Sequence, residues 1–147
     1  MRKQRVIIFE DEAMILALLT SFFSKMGYEV FTYPEPVTCP LYADGADCCV
    51  KHAPCADLMI TDYRMPKMNG IDLLEVQSRK GCRLDIRSKA MISGFLDEEE
   101  ELQVREMGCE VFRKPFNLSE LSAWVKACET RMDLSKPLGL IPPPGGS

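Results

Sequence analysis

Residues 57–70 read DLMITDYRMPKMNG, and this stretch decides the fold. Leu58, Met59, Ile60 and Thr61 form a short run, mostly apolar, that ends on Asp62, and Met65, Pro66, Asn69 and Gly70 then supply the residues of a loop. An apolar run bounded by turn residues reads as a buried strand. Its C-terminal end delivers a carboxylate to a loop, which is where open α/β sheets bind their ligands. Asp62 is therefore the candidate reactive residue.

Working outward, the same unit recurs. Residues 5–10 (RVIIFE) form a β-rich run that ends in the acids Glu10, Asp11 and Glu12. From Ala13 to Met26 the apolar residues Ile15, Leu16, Leu19, Phe22, Phe23 and Met26 fall near a helical period, with Gly27 as the stop. Residues 28–33 predict a second strand. After Asp62 a helix runs from Asn69 or Gly70 to Lys80, stopped by Gly81, and residues 88–93 predict a fourth strand. Asp97 is a suitable N-cap for an acidic helix over 98–107 ending at Gly108. Residues 111–113 make a fifth strand, and Asn117 with Glu120 suggests a capping box at the start of a last helix reaching about Met132.

Alternating strands and helices predict one parallel sheet with helices on both faces and right-handed crossovers. The expected fold class is α/β, five strand-helix units forming one domain over residues 1–132. Two segments stand apart. Residues 34–56 hold prolines and Gly45 that leave room only for short helical pieces, so an irregular, Cys-rich insertion is expected there. Residues 133–147, with PPP and GG, predict a flexible tail.

Composition narrows the function. A net charge of −4 gives no basis for a nucleic-acid surface, which needs clustered positive charge. Val6–Phe9 is too short for a signal peptide, and no stretch approaches a membrane span, so a cytoplasmic protein is expected. Seven cysteines in that compartment imply thiols, metal ligands or redox groups rather than structural disulfides. Cys39, Cys48, Cys49, His52 and Cys55 could form a Cys₃His or Cys₄ Zn²⁺ site. They lack a C-x₂-C knuckle, and plain thiols or a redox pair at Cys48 and Cys55 stay open as alternatives. Cys82, Cys109 and Cys128 read as structural.

If all strands run parallel, Glu10 and Asp11, Asp62, Ser93 and Lys114 meet at one sheet edge. Clustered carboxylates repel and need a cation to stay ionised. Oxygen-only ligands suit Mg²⁺, which takes one or two carboxylates plus a phosphate. A carboxylate, a hydroxyl and an ammonium around one point suit phosphoryl transfer onto Asp62.

The acids EDE at 10–12, DYRMPKMNG at 62–70, ISG at 92–94 and KPF at 114–116 resemble the signature of the response-regulator receiver domain of two-component signalling. The resemblance spans about residues 4–132 and implies a flavodoxin-like (βα)5 fold, a five-stranded parallel sheet with helices on both faces. It implies that Asp62 accepts phosphate from a sensor histidine kinase or phosphotransfer protein, with Glu10, Asp11, Asp62 and the backbone carbonyl of Arg64 at Mg²⁺. Glu10 would act through water. Ser93 would report the phosphate, and Lys114, before a cis Pro115, would pair with it. The implied output is a face built from the helix at 98–107, the strand at 111–113 and the last helix, which meets a downstream protein or a second copy of the chain.

Three residues depart from the family pattern. Glu10 stands where an aspartate is usual, and Val111 occupies the common position of a switching aromatic, with Phe112 next to it. Gly94 replaces a common alanine, leaving more space for phosphate. Two rival functions are a metal- or redox-sensing module using Cys39–Cys55, and a flavodoxin-like cofactor binder. The second lacks a Gly/Ser/Thr-rich phosphate loop after the first strand.

Overall fold

A computed structural model describes residues 1–34 and 53–139 of the 147-residue chain. The elements are β1 (Arg5–Phe9), α1 (Ala13–Lys25), β2 (Glu29–Tyr33), β3 (Leu58–Asp62), α2 (Gly70–Arg79), β4 (Lys89–Ser93), α3 (Glu98–Met107), β5 (Glu110–Arg113) and α4 (Leu118–Glu129), with a short 3₁₀ turn at Ile86–Ser88. The five strands pair in parallel in the order β2-β1-β3-β4-β5. The flavodoxin-like α/β fold is present, with four α-helices among the described residues. Of the expected Cys-rich insertion, residues 35–52 lie outside the described residues.

Alternation along each strand assigns side chains to two cores, because successive Cβ atoms point to opposite faces of a sheet. Val6, Ile8, Leu58, Ile60, Ala90, Ile92 and Phe112 face Leu19 and Phe23 of α1 and Leu121 and Val125 of α4. Phe9, Met59, Met91 and Val111 face Ile71 and Leu74 of α2 and Val104 of α3. Every residue of β3 and β4 is buried, which explains why both strands read as continuous runs rather than alternating ones.

The capping box sits elsewhere than expected. Asp97 accepts from the Glu100 amide while the Glu100 carboxylate accepts from the Asp97 amide, closing the start of α3. At α4, Asn117 instead accepts from the amide and hydroxyl of Ser119. Residues 133–139, part of the Pro/Gly-marked tail, make backbone contacts with the body of the domain. Arg2 Nε donates to the Lys136 carbonyl at 2.6 Å, Arg5 Nη1 to the Gly139 carbonyl at 2.9 Å, and the Gly139 amide to the Pro54 carbonyl at 2.8 Å.

Candidate functional site: an acidic pocket at the C-terminal sheet edge

Register brings the predicted residues together. Phe9 lies level with Thr61, Asp62 with Ile92, and Ser93 with Arg113, so Glu10, Asp62, Ser93 and Lys114 emerge from neighbouring strands at one edge. Backbone hydrogen bonds fix two of them: the Glu10 amide donates to the Tyr33 carbonyl, and the Lys114 amide to the Ser93 carbonyl, both at 3.0 Å. The Lys114–Pro115 bond is cis, as expected.

The Lys114 ammonium is the hub. Its Nζ lies 3.1 Å from Glu10 Oε1, 3.2 Å from Glu12 Oε2 and 3.5 Å from Asp62 Oδ1. Burial alone would lower the lysine, but the hydrogen bond to Glu10 and the charges of Asp62 and Glu10 hold it above its ordinary range. Asp62 Oδ1 also accepts from the Tyr63 amide at 2.8 Å. Glu12 stands in the sequence only as the last of the three acids after β1 and carries no role of its own there. It occupies the N-cap position of α1 yet makes no side-chain capping bond, and its carboxylate goes to Lys114 instead.

Glu10 is 2% exposed, and its Oε2 atom is buried with no hydrogen-bond partner among the described residues. Burial, followed by the adjacent Asp62 carboxylate, pushes Glu10 up to about 8 against the pull of Lys114. One ammonium thus leaves the cluster short of positive charge. Glu10, Asp11 and Asp62 each offer a carboxylate oxygen, all within 4.8 Å of one another. This all-oxygen donor set with an orphaned buried oxygen fits a hard cation such as Mg²⁺.

The walls of the pocket are held closely. Gly70 opens α2 beneath Asp62, and a Cβ there would meet the Asp62 carbonyl at 2.6 Å and Met91 Cε at 2.8 Å, so only glycine lets the helix approach. Ser93 is 1% exposed and its Oγ accepts from the Phe95 amide at 3.0 Å. A Cβ on Gly94 would make only ordinary contact with Lys114 Cβ at 3.7 Å. The Arg64 guanidinium stacks over the Phe95 ring, 4.3 Å from its centroid, and the Tyr63 hydroxyl donates to the Glu100 carboxylate. Val111 and Phe112 are both buried, and Phe112 packs edge-on against Trp124 on the α4 side.

Of the cysteine cluster, Cys39, Cys48, Cys49 and His52 lie outside the described residues, and Cys55 is half-buried with its carbonyl accepting from Arg5. Cys109 and Cys128 are buried, and burial raises both thiols, Cys109 to about 12, so neither is a reactive thiolate.

A sequence model of the response regulator receiver domain matches residues 6–126, and the chain belongs to that family. It is 33% identical over 128 residues to the Regulator of RpoS of Escherichia coli K12, covering 85% of this chain and 34% of that protein. It is 26% identical over 132 residues to the phosphate regulon regulator PhoB of the same strain, covering 88% of this chain and 53% of that one. The chain thus spans between about a third and about half of these relatives. Its fold matches the receiver domain of a Francisella response regulator with a TM-score of 0.68 at 19% identity, covering 89% of this chain and all of that one. A receiver domain from Vibrio parahaemolyticus gives 0.69 at 18% identity, covering 88% and 92%. Receiver domains are signalling modules that work with histidine kinases or phosphotransfer proteins and generally bind Mg²⁺ at such an acidic pocket. Among the described residues, no helix is long and apolar enough to cross a membrane.

Proposed function

We propose that Asp62 accepts a phosphoryl group from a histidine kinase or phosphotransfer protein and that the acyl phosphate switches a partner-binding face. The observation that carries this reading is the convergence of Lys114 on Glu10, Glu12 and Asp62 around a cluster still short of positive charge. Glu10, Asp11 and Asp62, with the carbonyl of Arg64 from the following loop, would hold Mg²⁺. The cation supplies charge neutralisation for the phosphoryl oxygens.

The remaining chemistry belongs to the chain. The Tyr63 amide and Lys114 both hold Asp62 Oδ1, which leaves Oδ2 as the attacking oxygen. Its bond to phosphorus forms as the bond from phosphorus to the donor imidazole breaks, and the imidazole keeps the bonding pair. Lys114 stands beside the acceptor to neutralise developing charge, and the Ser93 hydroxyl is available to donate to a phosphoryl oxygen.

Readout follows from what is tied to this loop. With Val111 in the usual aromatic position, the Tyr63–Glu100 hydrogen bond connects the residues after Asp62 to α3, and the Arg64–Phe95 stack connects them to the loop between β4 and α3. Drawing Ser93 toward the phosphoryl group would disturb its bond to the Phe95 amide. The affected face comprises α3, β5 and α4, where Leu102 and Leu118 are exposed, and it is suited to a downstream protein. Incubation with a small acyl-phosphate donor tests the reading by intact mass. One phosphoryl group should be gained with Mg²⁺ and none with chelator; equal labelling in both would defeat it.

A further inference from the structure

Lys89, the first residue of β4, is 3% exposed. Its Nζ donates to Gln77 Oε1 at 2.7 Å, a neutral acceptor, and among the described residues no carboxylate forms an ion pair with it. Gln77 is itself 3% exposed and is held from its other end, where Nε2 reaches Met59 Sδ at 3.4 Å. A desolvated ammonium with one neutral partner is an unusual arrangement, because buried charges are normally paired.

Lys89 and Gln77 both line a cavity of about 550 Å³ near the start of β4, at the end of that strand opposite Ser93. This volume lies in the range of small-molecule sites. Leu74 of α2 and Met107 of α3 give it apolar walls, and Arg83 and Asp85 belong to its lining. The Asp85 carboxylate is bound to Arg87, 2.6 Å away.

We infer that this cavity is a binding site for a small monocarboxylate with an apolar body, whose carboxylate pairs with Lys89 and whose body lies against Leu74 and Met107. A carboxylate supplies the negative charge that Gln77 does not, and a charge-assisted hydrogen bond at a desolvated position is stronger than a neutral one. The apolar walls favour a hydrocarbon body over a fully polar ion. A compact, fully polar dianion such as phosphate has no apolar body to set against Leu74 and Met107, so the site differs in its chemistry from the phosphoryl pocket.

The test is titration of octanoate into the full chain, followed by backbone amide resonances, with octanol and inorganic phosphate as matched probes. Octanoate should saturate, with shifts concentrated at Gln77, Lys89 and Met107, and octanol should bind at least about tenfold more weakly. Lys89→Met should abolish the octanoate shifts while leaving Mg²⁺-dependent labelling by an acyl phosphate intact. Absence of saturable shifts at these residues, equal binding of octanol, equal binding of phosphate, or unchanged binding in a folded Lys89→Met variant would each overturn the proposal. Should that variant fail to fold, the octanoate and octanol comparison on the wild-type chain decides alone.

Discussion

Asp57 and Asp62 bracket the same strand at nearly the same burial, 8% and 7% exposed, yet their surroundings are opposite. Asp57, at the N-terminal edge of the sheet, accepts from Arg2 Nη1 at 2.8 Å, from Arg2 Nη2 at 2.9 Å and from the Arg5 amide at 2.8 Å. Asp62, at the C-terminal edge, shares one ammonium with two glutamates and lies beside a buried Glu10 oxygen that has no hydrogen-bond partner among the described residues. One carboxylate is fully satisfied within the chain, and the other is left short of positive charge. Buried ionic groups stabilise only when their charge and hydrogen bonds are met, and the two ends of β3 differ in this: Asp57 has Arg2 to itself, whereas Asp62 competes with Glu10 and Glu12 for Lys114. Asp57 serves the fold; Asp62 is the carboxylate proposed to take the phosphoryl group.

The comparison breaks most readily at Asp62. Asp62→Asn should abolish labelling by an acyl-phosphate donor while leaving the thermal midpoint unchanged or raised, because it removes one of the crowded like charges. Intact mass and a melting curve read the two effects. Asp57→Ala should do the reverse. It strips the acceptor from Arg2 and from the Arg5 amide, and denaturant unfolding should show a loss of about 2–3 kcal/mol with labelling retained. The loss falls short of that for a fully buried pair because the Arg2 side chain keeps 22% of its exposure and regains water.

Mg²⁺ sharpens the contrast from the ligand side. At about ten times its dissociation constant it should stabilise the wild type and Asp57→Ala by about 1.4 kcal/mol, and Asp62→Asn by much less. A smaller effect belongs to residues 133–139. Truncation after Met132 removes the carbonyls that Arg2 and Arg5 reach, and should cost about 1 kcal/mol with no change in labelling.

The legible parts of the molecule were those written in local pattern. Apolar runs ending on acids marked β1 and β3, and the order of strands and helices alone places Glu10, Asp62, Ser93 and Lys114 at one edge. Asp97 and Gly108 bounded α3 correctly because caps are set by neighbouring residues. Long-range pairing was the illegible part. Arg2 and Asp57 are 55 positions apart, and nothing near either announces the other. Glu12 has no local signal, and its reach to Lys114 depends on β1 and β5 being brought to the same edge. Lys89 was hidden for a different reason: a lysine is ordinarily exposed, and its partner Gln77 comes from α2, 12 positions earlier.

The account's central claim is that Asp62 is the carboxylate that takes the phosphoryl group, and the most direct measurement locates the modified residue. After labelling with an acyl-phosphate donor and Mg²⁺, borohydride reduction converts an aspartyl phosphate to homoserine, and peptide sequencing identifies its position. Homoserine at position 62 alone is the predicted result. Homoserine at 57 or 11, or an unmodified residue 62 under conditions that label a reference receiver domain, would contradict it.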